Sequence, residues 1–356
     1  MKKVLLISHF PPPSGGIATW TKRVLALGLP DGWEIDHINS NMIKGRDMAH
    51  KERNFKDEWE RSRNIWRKEK EFLKNDPDIK VVHTNIPCTA FGMIRETITA
   101  KIAKKYNKKF ILHCHSTVPN VVNSKFKIFF WKILTRYCDG IITLNTRSYD
   151  FAKKYTKSNA KVVIVPNFIE ESTLPNANCK VINEHLKDVM YAGSVTSGKG
   201  CDVIIKAAKE LPNITFNLVG VVSEEIKAMD APKNVVFHGL QEVSYVRDQM
   251  KKNDAFIFVS RYFGEGFSVA LLEAMSEGLP CIVTDWAANA DMIFDKGGIV
   301  IEGYEDESKL VEALKKLDDK QLRAVASAFN IDKVKNNYTD KVILKEYTDF
   351  YTEVIG

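Results

Sequence analysis

Ala255–Pro280 reads AFIFVSRYFGEGFSVALLEAMSEGLP. Ala255–Val259 is an uninterrupted apolar run, the pattern of a strand buried on both faces of a sheet. The turn Gly264-Glu265-Gly266 follows. The apolar run after it reads as a helix and stops at Gly278 and Pro280, as helices do. Strand, loop and helix in that order form the half-unit of a parallel α/β sheet. A turn feeding a helix start offers free backbone N–H groups and the positive end of a dipole, so it suits a phosphate. Glu265 lies in that turn and Glu273 lies inside the helix. Two carboxylates so placed can grip hydroxyls of whatever carries the phosphate, and the combination points to a nucleotide-sugar site.

The same alternation runs through the rest of the chain. Strands are expected at Lys3–Ser8, Val81–Thr84, Lys109–His113, Gly140–Leu144 and Lys161–Pro166. Helical patterns are expected at Gly16–Leu27, Ala90–Tyr106, Ser124–Tyr137 and Arg147–Lys157. Phe168–Lys187 has no clean period and reads as a linker. Alternation restarts at Asp188–Gly193 and continues through Thr215–Gly220, Val235–His238, Ala255–Val259 and Cys281–Thr284. The expected fold is α/β, with two Rossmann-like domains facing each other across a cleft. Residues 1–170 form the first domain, 171–186 the linker and 187–335 the second domain. Residues 336–356, with aromatics Tyr347, Phe350 and Tyr351 at helical spacing, form a helix that crosses back to the first domain. Ligands of such sheets bind beyond the carboxyl ends of the strands.

The chain has 356 residues, 44% of them hydrophobic and 27% charged, enough for two full cores. Its apolar runs are too short to span a bilayer, and Met1-Lys2-Lys3 precedes a strand rather than a secretory signal. A cytoplasmic protein is expected, with peripheral attachment to the inner face of a membrane. Six cysteines without a CxxC pair read as reduced, mostly buried thiols, and no metal-ligand spacing appears. Net charge is +7. The excess lies in the first half, in Lys51–Lys80 and Lys101–Lys109. It reads either as solvated helix faces or as attraction to an anionic membrane surface, where each Lys or Arg is worth about 1 kcal/mol. No motif accompanies it that would make nucleic acid a partner. The helix SKFKIFFWKILTRY, Ser124–Tyr137, carries apolar residues around most of its circumference. That suits either a packed helix or a Phe/Trp/Lys face set into a membrane interface.

Two further glycine loops belong to the argument. Ser8–Thr19 reads SHFPPPSGGIAT, where Gly15-Gly16 let the backbone approach a ligand. It lacks the third glycine of GxGxxG, which argues against a dinucleotide site. Gly193–Gly200 reads GSVTSGKG and nearly matches a P-loop, but Gly200 stands where the Mg²⁺-binding hydroxyl belongs. Lys199 can neutralise a diphosphate in either case. After the strand Lys109–His113, the run His113-Cys114-His115 places two imidazoles on one face. One is expected to be packed and hydrogen-bonded, the other to line the cleft.

These pieces together resemble the GT-B glycosyltransferases of family 4. The carriers are Gly15-Gly16-Ile17, His115, Cys138–Thr143 (CDGIIT), Val165-Pro166-Asn167, GSVTSGKG, VVFHG at Val235–Gly239, and EGFSVALLEAM. The resemblance implies a nucleotide-diphosphate donor, UDP- or GDP-linked, retention of anomeric configuration, and no cofactor or required metal. It places Glu265 on hydroxyls of the donor sugar, Glu273 on the ribose, and His115 near the transferred sugar, with Glu265, His115 and Lys199 as the catalytic set. Gly266, Phe267, Ser268 and Val269, with Lys199, would meet the diphosphate. Gly15 and Gly16 would face it from the first domain, Gly193 and Ser194 from the second, and Leu240 would contact the base. Relatives commonly carry Arg where this chain has Ser194, so one cation is missing or is supplied elsewhere, Arg261 being the candidate. Relatives also carry Gly-Gly and Glu where this chain has Ala287-Ala288 and Asp291. The implied activity is transfer to a lipid-linked or polysaccharide acceptor in cell-surface glycan biosynthesis. The alternatives are a non-catalytic nucleotide-sugar binding homologue and a GT-B sugar-nucleotide epimerase.

Overall fold

The computed structural model describes residues 2–12, 15–41, 55–175, 180–294, 296–303 and 307–356. The chain divides into two compact units, Met1–Asn167 with Val342–Gly356, and Phe168–Lys341.

In the first unit the elements follow as β1 (Lys2–Ser8), α1 (Gly16–Leu27), β2 (Trp33–Asn39), α2 (Phe55–Asn75), β3 (Ile79–Ile86), α3 (Ala90–Lys105), β4 (Lys109–Cys114), α4 (Val118–Val121), α5 (Lys125–Leu134), β5 (Gly140–Thr143), α6 (Thr146–Tyr155) and β6 (Lys161–Ile164). The six strands make one parallel sheet in the order β2-β1-β3-β4-β5-β6. Its central strands are mostly apolar because both faces are covered: Leu5, Ile7, Val82, Phe110, Leu112 and Ile141 are all buried, with His83 and His113 among the buried polar exceptions. Thr89, Ser124 and Asn145 cap α3, α5 and α6 by accepting from Gly92, Lys127 and Ser148 backbone N–H groups.

The second unit runs β7 (Asp188–Ala192), α7 (Cys201–Glu210), β8 (Thr215–Val219), α8 (Glu224–Lys227), β9 (Val235–Gly239), α9 (Val243–Lys252), β10 (Ala255–Phe258), α10 (Val269–Ser276), β11 (Cys281–Thr284), α11 (Asn289–Ile293), β12 (Gly298–Ile301), α12 (Glu307–Leu317) and α13 (Lys320–Asn337). Its parallel sheet has the order β12-β11-β10-β7-β8-β9. Strand order reverses between β7 and β10, so the loops after these two strands converge at the switch point.

The last helix, α14 (Asp340–Ile355), packs on the first unit's sheet from Val342 onward. Phe350 reaches Gly140 of β5 so closely that a Cβ there would lie 2.8 Å from its ring, and Tyr351 meets Trp33 with centroids 5.3 Å apart. The aromatics read as a helix stripe are therefore core.

The structure differs from the sequence reading at the sheet edges. β2 and β12 were not expected, while α2 lies in the basic stretch Lys51–Lys80, for which solvated helix faces are one reading. Both strands lie at a sheet edge, where a short or half-buried strand leaves little periodic signal. The stretch read as a linker is partly structured: Phe168 and Ile169 are buried, and Ile169 bridges to Thr339. Lys180 donates to the carbonyls of Met250, Lys251 and Asn253 at the end of α9. Burial pushes that ammonium down to about 8. Cys88, Cys114, Cys138, Cys201 and Cys281 are buried free thiols, and Cys179 lies outside the described residues.

Candidate functional site

The converging loops of the second unit bring together most of the residues singled out in the sequence. After β7, the chain passes Gly193 and Ser194, both exposed, and turns through Ser197–Lys199 into α7. Thr196 caps that turn by accepting from the Lys199 N–H. Gly200 adopts φ +80°, and a Cβ there would fall 2.2 Å from the Val259 carbonyl oxygen. Only glycine lets the loop lie this close to the end of β10. Gly220 plays the same part for Gly193: its φ is +142°, and a Cβ would meet the Gly193 oxygen at 1.8 Å.

This close approach delivers Lys199 to Glu265. The ammonium donates to Glu265 Oε2, and the same oxygen accepts from Ser260 Oγ at 3.4 Å. Lys199 also lies over the Tyr262 ring, 4.7 Å from its centroid. Both side chains are mostly enclosed, 21% and 11% exposed for Lys199 and Glu265. A second tie joins the loops. The Arg261 N–H donates to Gly198 O at 3.0 Å, and its guanidinium pairs with Asp202 of α7 at 2.8 Å. Arg261 thus braces the two loops against each other.

Beyond Glu265 the chain enters α10 through buried Gly266, Phe267 and Ser268. Ser268 Oγ accepts from Leu271 N–H at 3.2 Å, which leaves the earlier amides of the first turn, including that of Val269, for other partners. Glu273 sits half-buried on the same helix, and Leu240, just past β9, is 79% exposed. Sequence reading missed Asp202, Ser260 and Tyr262. Their signal was weak, since each is one polar or aromatic residue beside a glycine loop.

Gly15, Gly16 and His115 belong to the first unit. Gly15 is extended and Gly16 opens α1, with open space where a Cβ would stand at either glycine. His113 and His115 do share a face, their rings 3.9 Å apart and tilted by 34°. His113 is fully buried and bonds through Nδ1 to His83 Nε2 at 3.1 Å, while His115 is partly exposed with its Nε2 inside. Burial brings the imidazoles of His83 and His115 down to about 3 and that of His113 well below its usual value, so all three are neutral. Near the end of β1, buried Arg61 of α2 donates to the Ser40 carbonyl and bonds His9 Nε2 at 2.8 Å, an arrangement the sequence did not suggest.

Two Rossmann-like sheets, the second carrying an ammonium–carboxylate pair beside a helix start at its switch point, define the GT-B class of glycosyltransferases. The comparisons agree with that geometry. Residues 23–173 match the model "Glycosyltransferase Family 4", and residues 176–330 match "Glycosyl transferases group 1". The chain belongs to this glycosyltransferase family and is a transferase. A processive diacylglycerol alpha-glucosyltransferase of Acholeplasma laidlawii is 23% identical over 71% of this chain and 83% of its own length. Among solved structures, sucrose-phosphate synthase of Thermosynechococcus elongatus superposes with a TM-score of 0.76 at 14% identity, covering 99% of each chain. Anabaena HepE in complex with UDP gives 0.72 at 12% identity, over 99% of this chain and all of its own.

Proposed function

We propose that this protein transfers a sugar, with retention of configuration, from a nucleoside diphosphate donor to a lipid-linked or polysaccharide acceptor. The observation that carries the proposal is the Lys199–Glu265 pair at the switch point, beside the start of α10. As the anomeric carbon–oxygen bond lengthens, negative charge grows on the departing diphosphate and positive charge on the sugar ring. The Lys199 ammonium and the first amides of α10 are fixed donors for the diphosphate, and fixed donors aimed at developing charge are the largest catalytic term. Glu265 then exchanges part of its Lys199 contact for hydroxyls of the sugar, and Glu273 holds the ribose. His115 serves the transferred sugar. A same-face substitution, in which the leaving phosphate takes the acceptor's proton, needs no protein nucleophile, whereas double displacement would make Glu265 that nucleophile. HepE, a structural neighbour, holds UDP, which favours a UDP-linked donor here.

Loss of one such electrostatic donor costs about 10²–10³ in kcat. Lys199→Ala and Glu265→Gln are each expected to lose activity on this scale with unchanged circular dichroism. Wild-type rates in both would refute the reading. Product analysis separates it from its rivals: an epimerase releases free nucleotide and altered sugar without acceptor, and a binding protein releases neither. Turnover is expected to persist in EDTA, in keeping with a reaction that requires no metal.

The acceptor reading draws on the lipid substrate named for the Acholeplasma relative and on charge. The first unit holds 32 Lys and Arg against 18 Asp and Glu, and the second 20 against 27. Residues 101–161 alone carry fourteen basic side chains and two acidic ones. Within that stretch, α5 turns Trp131 and Leu134 into the core and leaves Phe126 and Phe129 63% and 58% exposed. Aromatic rings ringed by lysines suit an anionic bilayer surface. No helix among the described residues is long and apolar enough to cross a membrane. Flotation with anionic vesicles at low salt is expected, and its absence would remove the membrane part of the proposal.

A further inference from the structure

The face of the first sheet that carries α1 and α14 holds a buried chain of hydrogen bonds that the transfer reaction described above does not use. Tyr351, on α14, places its hydroxyl 2.6 Å from His83 Nδ1. His83 Nε2 lies 3.1 Å from His113 Nδ1. His113 in turn stacks on His115. Trp20 of α1 closes the group, with its ring edge-on to both His113 and His115 at 5.2 Å. His83 and His113 are completely buried and Tyr351 nearly so.

The direction of this chain follows from what each atom can do. Among the described residues the Tyr351 hydroxyl has one hydrogen-bond partner, His83 Nδ1. If it accepted a proton there, its own O–H would be buried without an acceptor, at a cost of about 1–3 kcal/mol. Tyr351 therefore donates. His83 then bears its proton on Nε2 and donates it to His113 Nδ1, and His113 must carry its proton on Nε2. Both His113 Nε2 and the neighbouring His115 Nε2 are buried without a hydrogen-bond partner among the described residues. With the two rings 3.9 Å apart, an N–H at His115 Nε2 would add a further buried donor without an acceptor beside that of His113. A lone pair on His115 Nε2 is favoured beside the His113 N–H, which puts the His115 proton on Nδ1.

We infer that Tyr351 is a positioning residue: through His83 and His113 it fixes which nitrogen of His115 carries the proton, so that docking of the C-terminal helix presets the donor this imidazole offers to a sugar hydroxyl. The inference rests on the proposed transfer reaction for its consequence, but its core, the tautomer chain, can be read without catalysis. Three residues far apart in sequence set it, since Tyr351 and His83 are 268 positions apart.

The test uses the full-length protein labelled with ¹⁵N-histidine. Imidazole nitrogen shifts are expected to show single tautomers, protonated at Nε2 in His83 and His113 and at Nδ1 in His115. Tyr351→Phe keeps the ring that packs on Trp33 and removes only the O–H. It is expected to give mixed tautomers at His83 and His113. With a nucleotide-sugar donor and a glycolipid acceptor, kcat is expected to fall roughly five- to tenfold, the weight of about one hydrogen bond, while the donor KM stays within twofold. A merely structural residue would lower thermal stability and leave the tautomers alone. A wild-type spectrum with His113 protonated at Nδ1 overturns the chain outright and needs no variant to fold. Unchanged tautomers and kcat in Tyr351→Phe overturn the role of Tyr351. No sugar transfer by the wild-type protein would instead bring down the functional reading, and it would be seen before any substitution was made.

Discussion

Acidification should unfold the first unit from within. His83, His113 and His115 are neutral inside it because burial opposes their charge, His83 and His115 with values brought down to about 3. In the unfolded chain each takes up a proton near pH 6.5. Below that pH the unfolded state binds more protons than the native one, so stability is present above pH 6.5 and is lost as the pH falls from there toward the folded values. At pH 5.5 each imidazole costs about 1.4 kcal/mol and the three together about 4 kcal/mol, a large share of the roughly 5–15 kcal/mol that holds a typical domain together. Carboxyls of this unit raised by desolvation act in the opposite sense, Glu346 of α14 and above all Glu69. Glu69 of α2 is fully buried, has no hydrogen-bond partner on either oxygen among the described residues, and has its carboxyl pushed well up by burial and by nearby Glu96. Its contribution grows as the pH falls, so the experiment belongs in a Glu69→Gln background. Five of the six tryptophans, Trp20, Trp33, Trp59, Trp66 and Trp131, lie in the first unit, so indole fluorescence follows its unfolding in urea. With an m value of about 2–3 kcal/mol/M, the midpoint should drop by roughly 1.3–2 M between pH 7.5 and 5.5. Adding His115→Asn should remove about a third of that drop. An equal midpoint at the two pH values would show that the imidazoles charge freely in the folded state, and the burial argument would fall.

Three more expectations test other parts of the structure. Glu69→Gln itself should stabilise the protein at pH 8 and give progressively less toward pH 4.5, since a buried unpartnered carboxyl must stay protonated at about 1.4 kcal/mol per pH unit; a constant difference across that range would contradict this. Gly200→Ala forces a Cβ against the Val259 carbonyl at a left-handed φ, and it should cost at least about 1–2 kcal/mol in thermal unfolding and abolish stabilisation by nucleotide sugars. Retained donor stabilisation in that variant would mean the loop can move without displacing Lys199. Phe126→Ser with Phe129→Ser should abolish vesicle binding while thermal stability changes by less than about 1 kcal/mol, because both rings are largely exposed; undiminished flotation would point to charge alone.

Much of this protein is local in origin and so lies open in its sequence. Apolar runs of four to seven residues separated by amphipathic stretches dictate parallel strands covered by helices, because a strand buried on two faces cannot tolerate alternation. The glycines of GSVTSGKG and of the turn ahead of LLEAM mark the loops, while only the structure shows that Gly200 lies against the Val259 carbonyl and Gly220 against Gly193. Edge strands β2 and β12 escaped the sequence reading, although the opposite edges, β6 and β9, did not. Tertiary structure alone decided the partners. Lys199 and Glu265 are 66 residues apart and meet only because strand order reverses between β7 and β10. Arg261 is a brace on Asp202 rather than a lone cation, and α5 divides its apolar residues between core and solvent, which its composition could not apportion. The histidine chain needs β3, β4 and the last helix side by side. Periodicity records which face of an element is buried, but which residue waits on the other side of that face depends on how distant segments pack.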